Sequence, residues 1–279
     1  MTVLLQVSDP HFGTERPPVV EALVKLAWQL NPKVLLLTGD ITQRATRKQF
    51  SAARAFVERL NVPTVVAIPG NHDIPLFNLA ARLIKPYGHY AQSFSNDLET
   101  EYEDNDVLLL ALNTTRWYRH KDGEISSAQI ERVARRCEGA RSDKFRIVVV
   151  HHPLAVTSER DRENVVHGYE QAIRRWATAG VDVVIGGHIH LPFVLPLHEH
   201  SPELQKPLWV VQAGTAISHR VRPSTANSVN IFHVGVRVKA MKSMAALILR
   251  QCEVERWDFA EKTQSFEAVS THSLPVING

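Results

Sequence analysis

The first third of the chain carries three short, continuously apolar runs separated by segments of helical spacing. The runs 3–8, 33–38 and 64–69 lie between polar residues, which is typical of parallel strands buried on both faces. Between them, residues 18–30 and 46–60 repeat apolar positions every three or four residues, as amphipathic helices do. The pattern therefore predicts a β-α-β-α-β unit built on a parallel sheet.

After an interruption, the alternation of strand and helix continues to residue 187. Residues 74–104 combine one short helical stretch with a polar, acidic segment, and they predict an excursion over the edge of the sheet. Helices are predicted from Ser126 or Ser127 to about residue 138, and over 168–179 with Gly180 as the stop. Further strands are predicted at three apolar runs: 106–112, 144–150 and 181–187.

Beyond residue 190 the pattern changes to short apolar runs separated by Pro, Ser and Asn, which is typical of antiparallel strands. These runs are 193–197, 207–212, 228–236 and 245–257. We expect one α/β domain over residues 1–279, with a β-α-β core in 1–190 that holds the functional residues. Residues 191–279 are expected to supply mainly the strands of a second sheet.

Composition restricts the class of protein. With 279 residues, of which 44% are hydrophobic and 22% charged, the chain is long enough for a substantial core. The net charge of +3 gives no support for a nucleic-acid or anionic-membrane partner. Cys137 and Cys252 are expected to be buried, inert thiols of a reducing compartment. We see no signal peptide and no membrane-spanning stretch, so the expected location is the cytoplasm.

Polar residues suited to chemistry follow five of the predicted strands, at the point where each strand ends. The carboxyl ends of strands in an open α/β sheet border the ligand crevice, so we expect these side chains to converge. The five segments are Asp9-Pro10-His11, Gly39-Asp40, Gly70-Asn71-His72-Asp73, His151-His152 and Gly187-His188-Ile189-His190.

These residue types indicate a metal site. Asp, Asn and neutral His are ligands for divalent metal ions, and the absence of Cys argues against a structural zinc site. The donors are too many for one ion, whereas two ions sharing a carboxylate would use them all. Two ions about 3.5–4 Å apart form the usual clamp for hydrolysis of a phosphate ester. The candidate ligands are Asp9, His11, Asp40, Asn71, His151, His188 and His190.

The ordered set Asp-x-His, Gly-Asp, Gly-Asn-His-Asp, His and Gly-His-x-His resembles the motifs of the calcineurin-like metallophosphoesterase superfamily, over about residues 3–190. The resemblance implies a four-layer α/β/β/α sandwich with two mixed β-sheets. It implies hydrolysis of phosphoesters by hydroxide activated at two divalent ions, which the ligand types leave open as Mn, Fe, Zn or Mg.

The resemblance also implies a role for each motif residue. One ion would be held by Asp9, His11 and His190, the other by Asn71, His151 and His188, and Asp40 would bridge them. His152 would then be structural. His72 is expected to contact the phosphate and to stabilise or protonate the leaving oxygen, and Asp73 is expected to orient His72.

Residues 37–73 resemble the class III cyclic-nucleotide phosphodiesterase branch, which makes 3′,5′-cyclic nucleotides the expected substrate. The following residues, 74–90, depart from that branch. An alternative is a UDP-2,3-diacylglucosamine pyrophosphohydrolase, with 74–84 as a surface for acyl chains, although a helix packed on the core is favoured there. A repair nuclease would need longer capping regions. A non-catalytic scaffold is disfavoured because every motif residue is present.

The expected partner is a small-molecule phosphodiester. Five residues are candidate substrate contacts, although solvated surface is favoured for each: Arg44, His89, Tyr90, His219 and Arg220. The basic, apolar run 236–250 is a candidate for peripheral membrane contact, but an ordinary strand pair is favoured. The oligomeric state stays open, and a dimer is compatible with the sequence.

Overall fold

The computed structural model describes residues 1–201, 204, 206–239 and 248–275. The strands are β1 Thr2–Val7, β2 Val34–Thr38, β3 Thr64–Ile68, β4 Glu101–Glu103, β5 Val107–Ala111, β6 Phe145–Val149, β7 Val183–Gly186, β8 Phe193–Pro196, β9 Trp209–Gln212, β10 Ser228–Lys239, β11 Ile248–Ala260 and β12 Ser265–Pro275. The α-helices are α1 Pro17–Leu30, α2 Arg47–Leu60, α3 Leu79–Ile84, α4 Gly88–Ser93, α5 Ser127–Glu138, α6 Tyr169–Ala179 and α7 Leu197–His200.

The strands form two mixed sheets. The first has the order β12-β11-β10-β1-β2-β3, in which β1 to β3 are parallel and β10 to β12 run antiparallel to their neighbours. The second has the order β4-β5-β6-β7-β9-β8, with parallel strands in the centre and the antiparallel strands β4 and β8 at its edges.

Burial of both faces of each sheet explains the continuous apolar runs. On β1, Leu4 packs into the core between the sheets, whereas its neighbour Leu5 packs against the helices on the outer face. The inter-sheet core joins β1, β2 and β3 to β5, β6 and β7. Helices α1, α2 and α4 cover the outside of the first sheet, while α5 and α6 cover the second. This arrangement confirms the predicted four-layer α/β/β/α sandwich.

The helix boundaries agree closely with the predictions because their caps are readable in the sequence. Thr46 accepts a hydrogen bond from the backbone N–H of Gln49 at the start of α2. Ser126 and Gln129 form a reciprocal capping box at the start of α5. Gly180 ends α6 in the left-handed conformation, at φ 82°. No helix within the described ranges is long and apolar enough to cross a membrane.

The expected division of strands between the sheets is wrong. The second sheet is centred on β5, β6 and β7, which lie before residue 190, and of the strands described after residue 190 only β8 and β9 join it. Strands β10 to β12 extend the first sheet, because β10 pairs antiparallel with β1, placing Phe232 opposite Leu4. Apolar periodicity predicts a buried strand, but it does not specify which sheet the strand joins. Residues 240–247, within the basic run 236–250, lie outside the described residues.

Residues 74–104 contain more structure than the predicted excursion: two short helices, α3 and α4, and the edge strand β4. The expectation that the apolar stretch 74–84 packs on the core is wrong for α3, which has no buried residue. Leu79, Leu83 and Ile84 are all more than 60% exposed. The helix is held instead by Arg82, whose guanidinium donates to the carbonyls of Trp117 and Arg119.

Asp104 fastens the β4–β5 turn to the first sheet, at the end of the strands opposite the motif residues. Its carboxylate accepts hydrogen bonds from the backbone N–H groups of Asp106 and Val107, at 2.9 and 3.0 Å. It also accepts from the Thr2 hydroxyl and the Lys33 ammonium group, both at 2.7 Å. Burial raises the pKa of Asp104, but these donors outweigh burial and hold the pKa below its ordinary value.

We therefore expect Asp104→Ala to lower the free energy of unfolding at pH 7 by about 1–3 kcal/mol, as measured by urea denaturation. Because the folded-state pKa is depressed, this stabilisation is present above about pH 4 and is lost as the pH falls further. Asp143→Ala, which removes an exposed ion pair with Arg141, is the control and should cost less than about 1 kcal/mol. Equal losses in the two variants would contradict the assignment.

Candidate metal centre

The strand-end residues of both sheets meet at one edge of the sandwich. Candidate ligand atoms lie within 4.8 Å of one another in two groups: Asp9, His11, Asp40 and His190 in one, and His151, His152 and His188 in the other. The predicted convergence is therefore present. It occurs across two facing sheets, because β1 and β2 carry Asp9 and Asp40 while β6 and β7 carry the histidines of the second group.

The backbone at this edge adopts an unusual conformation. Five non-glycine residues have positive φ angles, a region that L-residues seldom occupy: Asp9 at 50°, His11 at 44°, Asp40 at 47°, His188 at 72° and His190 at 55°. Each such residue costs on the order of 1–3 kcal/mol, so the surrounding structure must hold it in place. Strain concentrated on one set of polar side chains is typical of a functional site.

Two glycines allow the loops to approach closely. Gly39 has φ +90°, and a Cβ atom there would lie 2.3 Å from Nδ1 of His151. A Cβ at Gly187 would lie 2.0 Å from Oγ of Ser8 and 2.4 Å from a carboxylate oxygen of Asp9. Any side chain at these positions would force the loops of the two sheets apart.

The first group joins two carboxylates to two imidazoles, all of them buried. Nε2 of His190 lies 3.3 Å from Oδ1 of Asp9 and 3.0 Å from Nε2 of His11. Nε2 of His11 lies 3.7 Å from Oδ2 of Asp40. Nδ1 of His190 donates to the backbone carbonyl of Arg220 at 2.6 Å, which turns the Nε2 lone pair toward the group.

In the second group, Nε2 of His151 and Nδ1 of His188 are the ring nitrogens that can face a cation. Nδ1 of His151 donates to the carbonyl of Thr38 at 2.8 Å, and its Nε2 lies 3.3 Å from both Oδ1 of Asp40 and Oδ1 of Asn71. Nδ1 of His188 is buried and has no hydrogen-bond partner within the described structure. A buried, unpartnered nitrogen grouped with the ring nitrogens of other histidines fits a divalent cation.

His152 differs from its neighbour. Its Nδ1 lies 2.8 Å from the hydroxyl of Thr114, and its Nε2 lies 3.0 Å from the carbonyl of Lys121. The carbonyl can only accept, so Nε2 carries the proton and Nδ1 accepts from the hydroxyl. Both ring nitrogens are therefore occupied, which supports a structural role for His152.

Burial and neighbouring charges set the protonation states of the residues at the site. Burial raises the pKa of Asp9, but the imidazoles of His190 and His151 outweigh burial and lower it to about 2. Burial lowers the pKa of both His11 and His188 to about 3, against the opposing carboxylates. The carboxylate of Asp9 is therefore ionised at neutral pH, and His11 and His188 are neutral donors. Burial also lowers the pKa of His151 and His190, but Asp40 outweighs burial and raises the pKa of His151 to about 9, and Asp9 raises that of His190. A divalent cation would take the place of the protons on these two rings.

The predicted relation between His72 and Asp73 is wrong. Nδ1 of His72 donates to the carbonyl of Gln43 at 3.0 Å, so Gln43 orients the ring. The Asp73 carboxylate instead accepts from the backbone N–H groups of Gly70, Ile41 and Thr42 at 2.8–2.9 Å. Asp73 thereby ties together the loops that follow β2 and β3. Burial and the nearby Asp40 raise the pKa of Asp73 to about 6.

The candidate substrate contacts separate clearly. Tyr90 is a core residue, fully buried, with its hydroxyl donating to the carbonyl of Ala67. Arg44 and His219 are exposed. Nη1 of Arg220, in contrast, lies 3.2 Å from Nε2 of His72 and 3.4 Å from Nδ1 of His11.

Sequence reasoning underrated Arg220 and missed Gln43. Arg220 lies eight residues beyond the end of β9, a parallel strand that finishes at the same edge as β7. The signal was therefore available: the apolar run 207–212 is a sixth strand end at the site. Because the run 207–212 was assigned to a separate antiparallel sheet, the residues after it were not considered as part of the site.

Comparison with known proteins agrees with this geometry. Residues 2–192 match the family model of the calcineurin-like phosphoesterases, and the chain belongs to this family. Its clustered His and Asp residues support the binding of two divalent metal ions.

The chain is similar to two proteins named as phosphodiesterases. A probable glycerophosphodiester phosphodiesterase from Arcobacter nitrofigilis is 25% identical over 181 residues, covering 61% of this chain and 64% of that protein. A probable cyclic nucleotide phosphodiesterase from Synechococcus sp. is 26% identical over 204 residues, covering 68% and 74%. The fold is similar to that of a dimetal phosphatase from Danio rerio, with a TM-score of 0.67 at 10% identity and 99% coverage of both chains.

The two adjacent histidines provide a test of ligand assignment. We expect metal-stripped protein to take up two divalent ions per chain, as counted by inductively coupled plasma mass spectrometry after dialysis. His151→Gln should lose at least one ion, because its Nε2 faces Asp40 and Asn71. His152→Gln, checked for folding by circular dichroism, should keep both. Ion loss from a folded His152→Gln variant alone would reverse the assignment.

Proposed function

We propose that the chain is a dinuclear metal-dependent phosphodiesterase that hydrolyses 3′,5′-cyclic nucleotides. The observation that carries the proposal is the convergence of buried carboxylate, amide and imidazole donors from both sheets at one edge. The choice of substrate is supported by the similarity to the protein named a probable cyclic nucleotide phosphodiesterase.

The donors divide between two ions in a way that the geometry supports. Asp9, His11 and His190 would hold one ion, and Asn71, His151 and His188 the other. Asp40 is suited to bridge them, because one carboxylate oxygen lies 3.7 Å from Nε2 of His11 and the other lies 3.3 Å from Nε2 of His151. Two bound divalent ions supply a lowered pKa for the attacking water and neutralise phosphate charge. Manganese is the first ion to test, although the ligand types also suit Fe, Zn and Mg.

His72 occupies the open side of this group. Its side chain is 26% exposed, and its Nε2 lies 4.0 Å from Oδ2 of the bridging candidate Asp40. Its backbone N–H also donates to Oδ1 of Asp40, at 2.8 Å. We assign His72 to contact with the phosphate and the leaving oxygen, with the ring oriented through Nδ1 by the carbonyl of Gln43.

A second candidate substrate is an acylated nucleotide sugar of the UDP-2,3-diacylglucosamine type. The observation that favours it is the exposed apolar surface of α3 and its flanks: Phe77, Leu79, Leu83 and Ile84. The guanidinium carbon of Arg44 lies over the Phe77 ring, 5.2 Å from the ring centroid. Arg44 directly follows Gln43, whose carbonyl accepts a hydrogen bond from His72. An apolar surface this near the site suits an acyl chain.

We expect manganese-loaded protein to hydrolyse 3′,5′-cyclic AMP with kcat/KM of about 10⁴ M⁻¹s⁻¹ or more, the low end for ordinary enzymes. Metal-stripped protein and Asp40→Asn should be inactive, and Asp143→Asn should match the wild type. Cleavage of the acylated UDP-sugar or a glycerophosphodiester, without cleavage of cyclic AMP, would replace the proposed substrate. Full activity in Asp40→Asn would refute the dinuclear site.

His72→Ala should lower kcat by ~10²–10⁴, the usual effect of losing a group that assists proton transfer at the leaving oxygen, while both ions remain bound. His120→Ala removes an exposed imidazole and serves as the matched control. Steady-state kinetics and metal content are measured on the same samples. Unchanged kcat in His72→Ala would remove His72 from the reaction.

A further inference from the structure

The guanidinium of Arg220 is the feature of the site that the motif residues do not account for. Its Nη1 lies 3.1 Å from Oε1 of Gln43 and 3.2 Å from Nε2 of His72. Because Nδ1 of His72 donates to the Gln43 carbonyl, Nε2 of the neutral ring carries a lone pair, which accepts from Arg220. Arg220 therefore places a permanent positive charge, with N–H donors, beside the residue expected to face the phosphate.

A chain of hydrogen bonds fixes the loop that carries Arg220 to the loop that carries Asp9. The backbone N–H of Arg220 donates to Oγ of Ser218 at 3.2 Å, and Ser218 is hydrogen-bonded to Thr215 at 2.7 Å. Thr215 in turn donates to the backbone carbonyl of Asp9 at 2.6 Å. Ser218 and Thr215 are buried. A guanidinium on such a platform is pre-organised, so little conformational entropy is lost when it binds an anion.

Arg220 also has donors to spare. Among the described residues, the structure shows no acceptor for its Nε or Nη2, and the side chain is half-buried at the open side of the site. Arg222, two residues further on, differs because its guanidinium pairs with Asp161 and with the carbonyl of Ile189. A guanidinium with free donors presents the planar, paired N–H geometry that matches a phosphoryl group.

We infer that Arg220 binds the phosphoryl oxygens of the substrate and supplies the fixed positive charge on the His72 side of the site. The inference rests on the proposed phosphodiesterase function and names a specificity-determining residue for it. Nη1 of Arg220 and Nε2 of His72, which lie 3.2 Å apart, would then face the same phosphoryl group. An additional cation in the site favours a ligand with a free phosphate charge over a neutral ester.

The test measures binding of inorganic phosphate to manganese-loaded protein by isothermal titration calorimetry, which requires no turnover. Arg220→Gln should weaken phosphate binding about 10- to 150-fold, the range expected for a hydrogen bond to a charged group. Arg220→Lys should recover part of the loss. Arg47→Gln removes the same charge from an exposed residue of α2 and should bind within about threefold of the wild type. Both ions should remain in Arg220→Gln.

Several outcomes would overturn the inference. They are unchanged phosphate affinity in Arg220→Gln, an equal loss in Arg47→Gln, loss of bound metal from Arg220→Gln, or no phosphate binding by the wild type. Turnover of bis(p-nitrophenyl) phosphate separates this result from the proposed function. Arg220-dependent phosphate binding without diester cleavage would refute the function alone, whereas diester cleavage with normal KM in Arg220→Gln would refute the inference alone.

Discussion

Two hydrogen bonds that cross from one sheet to the other hold the site together. The backbone N–H of His188, after β7, donates to the carboxylate of Asp9, after β1, at 3.0–3.1 Å. In the opposite direction, Nδ1 of His151, after β6, donates to the carbonyl of Thr38, at the end of β2. Each bond is made by a residue that also belongs to the candidate metal-ligand set. The same contacts therefore set the spacing of the sheets and the spacing of the donors.

A buried polar network supports these contacts from beneath. Nε2 of Gln6 donates to the carbonyl of Gly186 at 3.0 Å, and Nε2 of Gln212 donates to the carbonyl of Gly187 at 2.8 Å. Asn230 in turn donates to Oε1 of Gln6 at 2.9 Å. Burying amides is costly unless they are hydrogen-bonded, and here they are. The inter-sheet layer thus changes from apolar side chains in its centre to amides at the edge that carries the site.

The sequence predicted the strands, the main helices and the convergence of the motif residues, because each depends on local periodicity, caps or strand ends. It did not predict which sheet β10 to β12 join, because the edge strands of both sheets are apolar and the sequence does not show which of them an antiparallel strand pairs with. Asp73 was expected to orient His72 because carboxylates often orient histidines of this kind, whereas the Asp73 carboxylate accepts from backbone N–H groups of the loop after β2. Solvated surface was favoured for Arg220 because its contact with His72 joins residues 148 positions apart, which local sequence patterns do not reveal.

The division of the site between two sheets has a consequence for the order of folding. Asp9 and His188 are 179 positions apart, and their hydrogen bond forms only when both sheets are already packed face to face. Contacts of such long sequence separation are slow to form, because a large loop must close before they stabilise the chain. During synthesis, the donors of β1 and β2 emerge long before those of β6 and β7. The candidate metal site therefore cannot be assembled before β7 and its following loop have emerged, and a nascent chain carries Asp9 and Asp40 without the imidazoles of His151, His188 and His190 until then.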